Sequence, residues 1–225
     1  MMIDHWPLFG LRVRTPRLEL RLPAENELAE LADVAAAGVH EPGRRPFLTP
    51  WTDGTPADRA RQVVQGHWSA LGRWTPQDWT LQLVAFLDGR PVGAQATRAG
   101  DFAALREASS WSWLGLAHQG RGLGTQMRAA ALHLLFAGLG ATDVTSASFL
   151  DNPAPLAISG RLGYRPDGIT RDLLHGRVVV SQRLRLTRDD WERVDRPPVT
   201  IEGLEPCLPL FGIGSEVTPA PPPGR

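Results

Sequence analysis

The chain has 225 residues and a formal net charge of zero, from 24 basic and 24 acidic side chains. This length can bury a proper core, and a neutral balance favours neither nucleic acid nor an anionic membrane as a partner. All the basic residues are arginine and there is one cysteine, which excludes a P-loop lysine, a lysine Schiff base, an internal disulfide and a Cys-rich metal site.

Hydrophobic periodicity in the N-terminal half predicts five elements. In chain order they are a half-buried strand, a helix, a long ordered loop, a second helix and a hairpin, over residues 11–22, 24–37, 38–56, 57–72 and 80–99. Gly38 ends the first helix. Asp88 and Gly89 lie between two alternating apolar runs, a pattern typical of a hairpin turn.

The C-terminal half predicts a further alternation of strands and helices. These are a strand over 109–117, a helix from Leu123 to Gly138, a strand over 142–150, a short helix over 156–164, and strands over 169–174 and 177–186. The proline-rich tail, residues 215–225, is expected to be disordered. No secretion signal or membrane span is recognisable, so we expect a soluble cytoplasmic protein.

The segment HQGRGLGTQ, residues 118–126, joins a predicted strand to the most regular predicted helix. A strand, glycine loop and helix in this order present unpaired N–H groups and a positive helix end to an anion, and Arg121 adds a charge. The segment therefore predicts a phosphate or pyrophosphate site. A glycine-rich turn that only packs the helix closely on the sheet is the alternative.

A dinucleotide-binding fold fits this loop poorly. Its G-x-G-x-x-G pattern would need a third glycine where this chain has Thr125. It also expects an acidic residue about 20 residues further on, whereas Asp151 lies 27 residues past Gly124. A nicotinamide-dependent enzyme therefore remains only as an alternative.

Residues 119–124 read Q-x-x-G-x-G and resemble the coenzyme A pyrophosphate loop of the GNAT superfamily of N-acyltransferases. Three more segments are similar, in the same order, to the RimJ/RimL branch: TPRLELR, DNPAPLAISGRLGYRPDG and RLTRDDWER. The resemblance implies an α/β GNAT fold, a mixed central sheet with splayed parallel strands flanked by helices, over residues 1–193. Residues 194–214 would be a C-terminal extension that packs on this domain. The chain also resembles an actinobacterial subgroup suspected of using succinyl as well as acetyl groups.

The resemblance places an acyl-CoA between the two splayed strands. Its pantetheine amides would pair with the backbone of Leu114 and Leu116, and the side chain of Asn152 would contact the pantetheine arm. Backbone N–H groups would hold the pyrophosphate at Gln119, Gly120, Arg121, Gly122, Leu123, Gly124 and Thr125. From its position alone, Asn152 is equally compatible with a helix cap.

The implied chemistry is direct attack of a primary amine on the thioester carbonyl, with a base for the ammonium and an acid for the thiolate. Pro155 replaces the family serine, and Ser159 stands where many members have a tyrosine acid. Ser159 is therefore the candidate acid, with solvent as the alternative. Glu107 is the candidate base, with an exposed turn charge as its alternative reading. The other candidate bases lie in the long loop and are His40, Glu41 and Asp53.

The long loop is also expected to form the acceptor wall. Trp51 would line the pocket, and Arg44 and Arg45 would bind a carboxylate on the acceptor or on the acyl group. Most of the eight tryptophans are expected in packed core. Four of them are expected around the acceptor side: Trp51, Trp68, Trp74 and Trp79.

We therefore expect an N-acyltransferase that uses acetyl-CoA, or another acyl-CoA such as succinyl-CoA. Its acceptor would be a protein amine or a small-molecule amine. The six histidines show no metal-ligand spacing, so no metal is expected. The resemblance implies a homodimer. The alternative function is a CoA-binding, GNAT-like regulatory domain with little turnover.

Overall fold

The computed structural model describes residues 1–214, which form nine strands and seven α-helices. The strands are β1 Arg12–Arg14, β2 Leu18–Arg21, β3 Asp78–Leu87, β4 Arg90–Gly100, β5 Glu107–Leu114, β6 Asp143–Phe149, β7 Arg165–Leu174, β8 Arg177–Thr187 and β9 Thr200–Glu202. The α-helices are α1 Met2–His5, α2 Glu25–Ala37, α3 Pro56–Gly72, α4 Phe102–Leu105, α5 Leu123–His133, α6 Pro153–Arg161 and α7 Arg188–Arg193. Three 3-10 helices cover Pro7–Gly10, Leu116–His118 and Glu205–Phe211, and a π-helical turn, Leu134–Gly138, continues α5.

All nine strands belong to one sheet, in the order β7-β8-β6-β5-β4-β3-β2-β1-β9. In the described part of the chain, β5 and β6 are the one parallel pair, and they are joined by three residue pairs that end at Ser109–Thr145. Beyond that point β5 stays on β4 as far as Leu114, while β6 stays on β8 as far as Phe149. The two strands therefore diverge, which confirms the mixed sheet with splayed parallel strands. A dinucleotide fold has a mostly parallel sheet, so that alternative is wrong.

Helix α5 packs on one face of the sheet and forms the centre of the main core. Seven of its eleven residues are buried, among them Leu123 and Met127. Full burial of such a side chain stabilises the fold by about 1.5–3 kcal/mol. On the other face, α2 and α3 cover β3 and β4 through a second core that includes Leu31, Val63 and Phe86. Both faces of the sheet are thus covered by helices, as expected for an α/β domain.

Two predicted strands differ from those in the structure. The single strand expected over residues 11–22 is a pair, β1 and β2, because Thr15 turns the chain: its Oγ1 accepts the N–H of Leu18 at 3.0 Å. The strand expected over 109–117 ends at Leu114. There the N–H of Leu116 donates to the Gly38 carbonyl at 2.9 Å, which draws the chain out of the sheet into a 3-10 helix.

The segment after α7 returns to the sheet. Strand β9 pairs with β1, and the following 3-10 helix buries Cys207 and Phe211 completely. The Trp74 Nε1–H donates to the Leu210 carbonyl at 2.8 Å, and the Trp79 ring lies 4.9 Å from that of Phe211. Trp74 and Trp79 therefore pack in the main core with this segment. This agrees with the packed core expected for most of the tryptophans, whereas the acceptor-side position expected for these two is wrong.

No helix among residues 1–214 is long and apolar enough to cross a membrane. The tail expected to be disordered, residues 215–225, lies outside the described residues.

Candidate functional site

The glycine loop presents free backbone donors at the start of α5. Gly120 and Gly122 have left-handed φ angles of 71° and 76°, and Gly122 caps α5 without a side-chain hydrogen bond. Among the described residues, 1–214, no group accepts a hydrogen bond from the six backbone N–H groups of residues 120–125. A Cβ added at Gly120 or Gly122 would meet nothing within 4 Å. The loop surface is therefore open, and close packing does not explain these glycines.

Neighbouring elements hold this loop in place. The Gln119 Nε2 group donates to the carbonyls of Val39 at 2.8 Å and Leu114 at 2.9 Å. Arg17 Nη1 donates to the Arg121 carbonyl at 2.9 Å. The N–H of Gln119 donates to Leu116 at 3.2 Å, so the free donors begin one residue later, at Gly120. The loop is thus a fixed cradle whose positive helix end suits an anion.

Strand β5 has an open edge where β6 leaves it. The carbonyl of Arg106 accepts from the Thr142 N–H, and that of Ser110 accepts from Ser146 Oγ. The backbone N–H and C=O groups of the even-numbered residues in this segment therefore point toward β6. Backbone groups alternate along a strand, and those of Ser112 and Leu114 therefore face the gap. Leu116 has left the strand and its N–H is engaged by Gly38. Leu116 is therefore not an edge residue, and Ser112, which the sequence analysis missed, takes that place.

A cavity of about 740 Å³ opens between the glycine loop and the diverging strands. We call it the glycine-loop cavity. Its lining includes Gly120, Gly122, Thr125 and Asn152. Asn152 is the N-cap residue of α6 but makes no side-chain cap hydrogen bond. The helix-cap reading of its side chain is therefore wrong, and the amide borders the cavity.

A second cavity, of about 680 Å³, adjoins the first. We call it the Glu107 cavity, and it is lined by Trp51, Glu107 and Arg185 among others. Five residues line both cavities: Pro46, Phe47, Trp111, Ser146 and Ala147. The two cavities therefore meet at the divergence of β5 and β6, so groups bound in each would come together there.

Glu107 is the first residue of β5 and borders the Glu107 cavity. Its Oε2 accepts a hydrogen bond from Arg185 Nη1 at 2.5 Å, and the same arginine contacts Asp143 at 3.2 Å and Asp167 at 3.4 Å. These carboxylates raise the pKa of Arg185, the hydrogen bond to Glu107 being the largest cause. Arg185 therefore holds the Glu107 carboxylate in a fixed orientation in the wall of the Glu107 cavity.

Ser159 is fully buried in α6. Its Oγ donates to the Pro155 carbonyl at 2.9 Å and accepts from Arg128 Nη1 at 2.5 Å. Arg128 lines the glycine-loop cavity, and the sequence analysis missed it because an arginine in an amphipathic helix normally indicates an exposed face. Tyr164 is also buried, which raises the pKa of its phenol, and it packs in the main core.

The loop between α2 and α3 contributes Pro46 and Phe47 to the wall that the two cavities share. Asp53 is engaged by His175 at 2.6 Å and Arg45 at 3.6 Å, and His40 Nε2 lies 2.9 Å from Thr52 Oγ1. The ring of Trp51 lies 5.4 Å from that of Trp113. On the glycine-loop cavity the loop contributes His40, Glu41, Arg44 and Arg45.

Trp68 differs from Trp51. It lies on α3 with 59% of its surface exposed. Trp111 and Trp113, on β5, are the other tryptophans that line a cavity, and the sequence analysis did not single them out. Across residues 1–214, no group of three or more His, Cys, Asp or Glu side chains is placed to hold a metal ion.

Residues 17–165 match the model of the acetyltransferase (GNAT) domain, and this match spans more than half of the chain. The chain belongs to the GNAT acetyltransferase family. The GNAT fold that the sequence motifs implied is thereby confirmed, and so is the class of enzyme.

Solved GNAT structures share the fold. RimJ of Mycobacterium smegmatis in complex with CoA-disulfide is 18% identical, with 84% of this chain and 91% of that chain covered and a TM-score of 0.64. RimL, a ribosomal L7/L12 α-N-protein acetyltransferase in complex with coenzyme A, is 17% identical, with coverages of 78% and 97% and a TM-score of 0.60. A chimera of the spermidine N-acetyltransferase SpeG from Vibrio cholerae and hSSAT is 14% identical, with coverages of 79% and 99% and a TM-score of 0.58. These neighbours agree with the RimJ/RimL-like branch at the level of fold.

Proposed function

We propose that this GNAT domain transfers an acetyl group from acetyl-CoA to a primary amine by direct attack. The observation that carries the proposal is the row of free N–H groups at residues 120–125, which opens into the gap between β5 and β6. A pyrophosphate suits such a row because it accepts several hydrogen bonds and carries negative charge toward the positive end of α5. When bound, the acyl-CoA would supply an activated thioester.

The remaining contacts follow from the gap itself. The backbone groups of Ser112 and the N–H of Leu114 would pair with the pantetheine amides as an added strand does, because the Leu114 carbonyl already accepts from Gln119 Nε2. The side-chain amide of Asn152, which makes no cap hydrogen bond, would meet the same arm. The thioester would then lie where the glycine-loop cavity meets the Glu107 cavity.

The acceptor amine would enter through the Glu107 cavity, past Trp51. Glu107 is the base in this proposal: its carboxylate takes a proton from the ammonium, directly or through one water, so that the amine nitrogen can attack. A C–N bond forms to the carbonyl carbon, the C–S bond then breaks to release the CoA thiolate, and the nitrogen loses its second proton to solvent. Glu107 lines this cavity, whereas Asp53 lines neither of the two cavities, which favours Glu107 over Asp53 for this role.

Fold neighbours named for a ribosomal-protein α-amine and for spermidine support a protein amine or a small amine as acceptor. Succinyl-CoA is proposed as a second donor, since Arg44 and Arg45 border the glycine-loop cavity and suit a carboxylate. The proposed form is a cytoplasmic homodimer.

Thermal unfolding with CoA, acetyl-CoA, succinyl-CoA or NAD tests the binding half of the proposal. A ligand at 100 times its Kd stabilises the folded state by roughly 2.7 kcal/mol, so CoA species should raise the midpoint and NAD should not. The absence of a shift with every CoA species would contradict the proposal.

Release of free CoA from acetyl-CoA in the presence of a peptide α-amine or spermidine tests the transfer half. We expect amine-dependent release with a stoichiometric acylated product. Binding of CoA without any release across a panel of amines would favour the regulatory alternative instead.

A further inference from the structure

Arg128 is a buried arginine without a counter-ion. It lies within α5, and 6% of its surface is exposed. Its Nη1 donates to Ser159 Oγ at 2.5 Å and to the Pro155 carbonyl at 3.4 Å, and its Nη2 donates to Ser146 Oγ at 3.2 Å. Its Nε–H is buried with no partner. Within the described residues no carboxylate pairs with it, so every group that contacts the guanidinium is neutral.

A charge in this position is costly to the fold. Arginine stays protonated in proteins, and a buried charge without an opposite charge is destabilising. Burial lowers the pKa of Arg128, and the one opposing influence is Tyr164, whose ring lies 5.8 Å from the guanidinium carbon. Costly groups of this kind concentrate at functional sites. The guanidinium is therefore suited to an anion that is present during only part of a reaction cycle.

The position of Arg128 decides which anion that is. Arg128 lines the glycine-loop cavity, and its Nη2 donates to Ser146 Oγ at 3.2 Å, a residue that lines both cavities. Ser146 follows Thr145, the last residue of the parallel ladder, so Arg128 lies at the vertex of the splay. An acyl-CoA bound as proposed would have its sulfur on the glycine-loop side and its acyl group toward the amine. Arg128 would then face the sulfur rather than the far end of an acyl chain.

We propose that Arg128 is a catalytic residue that stabilises the CoA thiolate as it leaves, in place of a general acid. This inference rests on the proposed function. The amine lone pair forms the C–N bond, the C–S bond breaks, and its electron pair goes to sulfur, while the nitrogen loses its second proton to solvent. Arg128 keeps its own protons and donates a charged N–H to the thiolate, which is released as the anion or takes a proton from water. Ser159, at the position of the family tyrosine, holds Nη1 of the guanidinium.

The thiol pKa of bound CoA is the direct test. The ultraviolet absorbance of the thiolate is titrated against pH with CoA saturated by the whole protein. An unperturbed cysteine thiol has a pKa of about 8.5, and free CoA titrated in the same buffer provides the reference value. A guanidinium in contact should lower the pKa of the bound thiol by about one unit or more, which raises the thiolate population at neutral pH roughly tenfold. Desulfo-CoA provides the absorbance baseline.

Arg128→Met removes the charge while it keeps a long side chain. Ser159 still donates to Pro155, and Ser146 Oγ still donates to the Ser110 carbonyl, so both hydroxyls keep a partner. We expect the bound thiol to return to its ordinary pKa, and kcat to fall roughly tenfold or more while the KM for the amine is unchanged. The matched control is Arg188→Met. Arg188 is half-buried and donates to the Phe136 and Ala141 carbonyls, so its loss should leave the bound thiol unaffected.

The wild-type titration can overturn the inference by itself. If CoA raises the unfolding midpoint but its bound thiol titrates as it does in water, Arg128 does not stabilise the thiolate and the proposed function stands. A loss of succinyl-CoA use alone in Arg128→Met, with the thiol pKa unchanged, would overturn it in favour of acyl-group recognition. A wild-type protein that binds no CoA species would overturn the proposed function and this inference together.

Discussion

Gly122 combines a backbone conformation that favours glycine with a position over the proposed pyrophosphate site. Its φ is 76°, and a Cβ there would enter open space. A residue with a side chain pays about 1–2 kcal/mol in the left-handed region. Gly122→Ala should therefore lower the free energy of unfolding by about that amount.

The same substitution should also weaken CoA binding, because the methyl group would intrude on the anion. CoA affinity, measured by isothermal titration calorimetry, should fall at least roughly tenfold.

Gly89 provides the matched control for this change. It has a φ of 77° with equally open space, and it lies in the turn between β3 and β4. Gly89→Ala should lose a similar amount of stability and bind CoA normally. Unchanged CoA affinity in Gly122→Ala would mean that the anion lies elsewhere.

His67 makes the stability of the fold depend on pH. It is buried in α3, and desolvation lowers its pKa from 6.5 to about 4. Above pH 6.5 the imidazole is neutral in both states and has no effect. As the pH falls from 6.5 to about 4, the unfolded chain binds a proton that the folded chain does not bind. Wild-type stability should therefore fall across this window, by about 3 kcal/mol in all.

His67→Gln isolates this contribution. Other acidic and basic groups titrate alike in both proteins, so the difference between their unfolding free energies reports His67 alone. Denaturant unfolding at several pH values between about 7 and 4 should show a steeper loss in the wild type. Parallel curves for the two proteins would show that the folded state protonates His67 without cost.

At the scale of elements, the reactivity of Cys207 reports whether the C-terminal 3-10 helix stays packed on the domain. Cys207 is fully buried, its Sγ lies 3.1 Å from the Gly203 carbonyl, and burial raises its pKa to about 11. Since thiol reagents attack the thiolate, native protein should react slowly with a disulfide reagent. Phe211→Ala should cost about 3–5 kcal/mol and make Cys207 react much faster.

Leu173→Ala is the control for this element. Leu173 lies on β7 with 74% of its surface exposed, so neither stability nor thiol reactivity should change. Fast labelling of Cys207 in the native protein would show that the 3-10 helix is not held on the domain.

The same elements show how far the sequence alone could lead. Helix α5 and the glycine loop follow from periodicity and spacing, which are local properties of the chain. The end of β5 could not be predicted, because a hydrogen bond from Leu116 to Gly38 decides it. The surroundings of Arg128 could not be predicted either, since β6 and α6 supply its partners. The role of Glu107 as base was predicted from its position in the chain. Its contact with Arg185 could not be predicted, because the fold brings β8 next to it.

At the scale of the whole molecule, the sheet consists of two halves that meet at the short ladder between β5 and β6. Arg185, on β8, bonds to Glu107 on β5 and to Asp143 on β6 at this junction. A substitution of Glu107 could therefore act through the proposed base or through a looser junction. The carbonyl of a glutamine can still accept from Arg185, so Glu107→Gln should leave the unfolding midpoint nearly unchanged. Loss of the base should lower kcat by about 10²–10⁴-fold.

Asp143→Asn separates these two effects. Asp143 shares Arg185 with Glu107, and its own carboxylate is bonded at the junction on β6. If the junction controls activity, both variants should lose kcat together, because both weaken the hold of Arg185. If Glu107 is the base, kcat falls in Glu107→Gln alone, while CoA binding persists in both variants. Equal losses of kcat would therefore reject Glu107 as the base and show that the junction between the two halves of the sheet controls the rate.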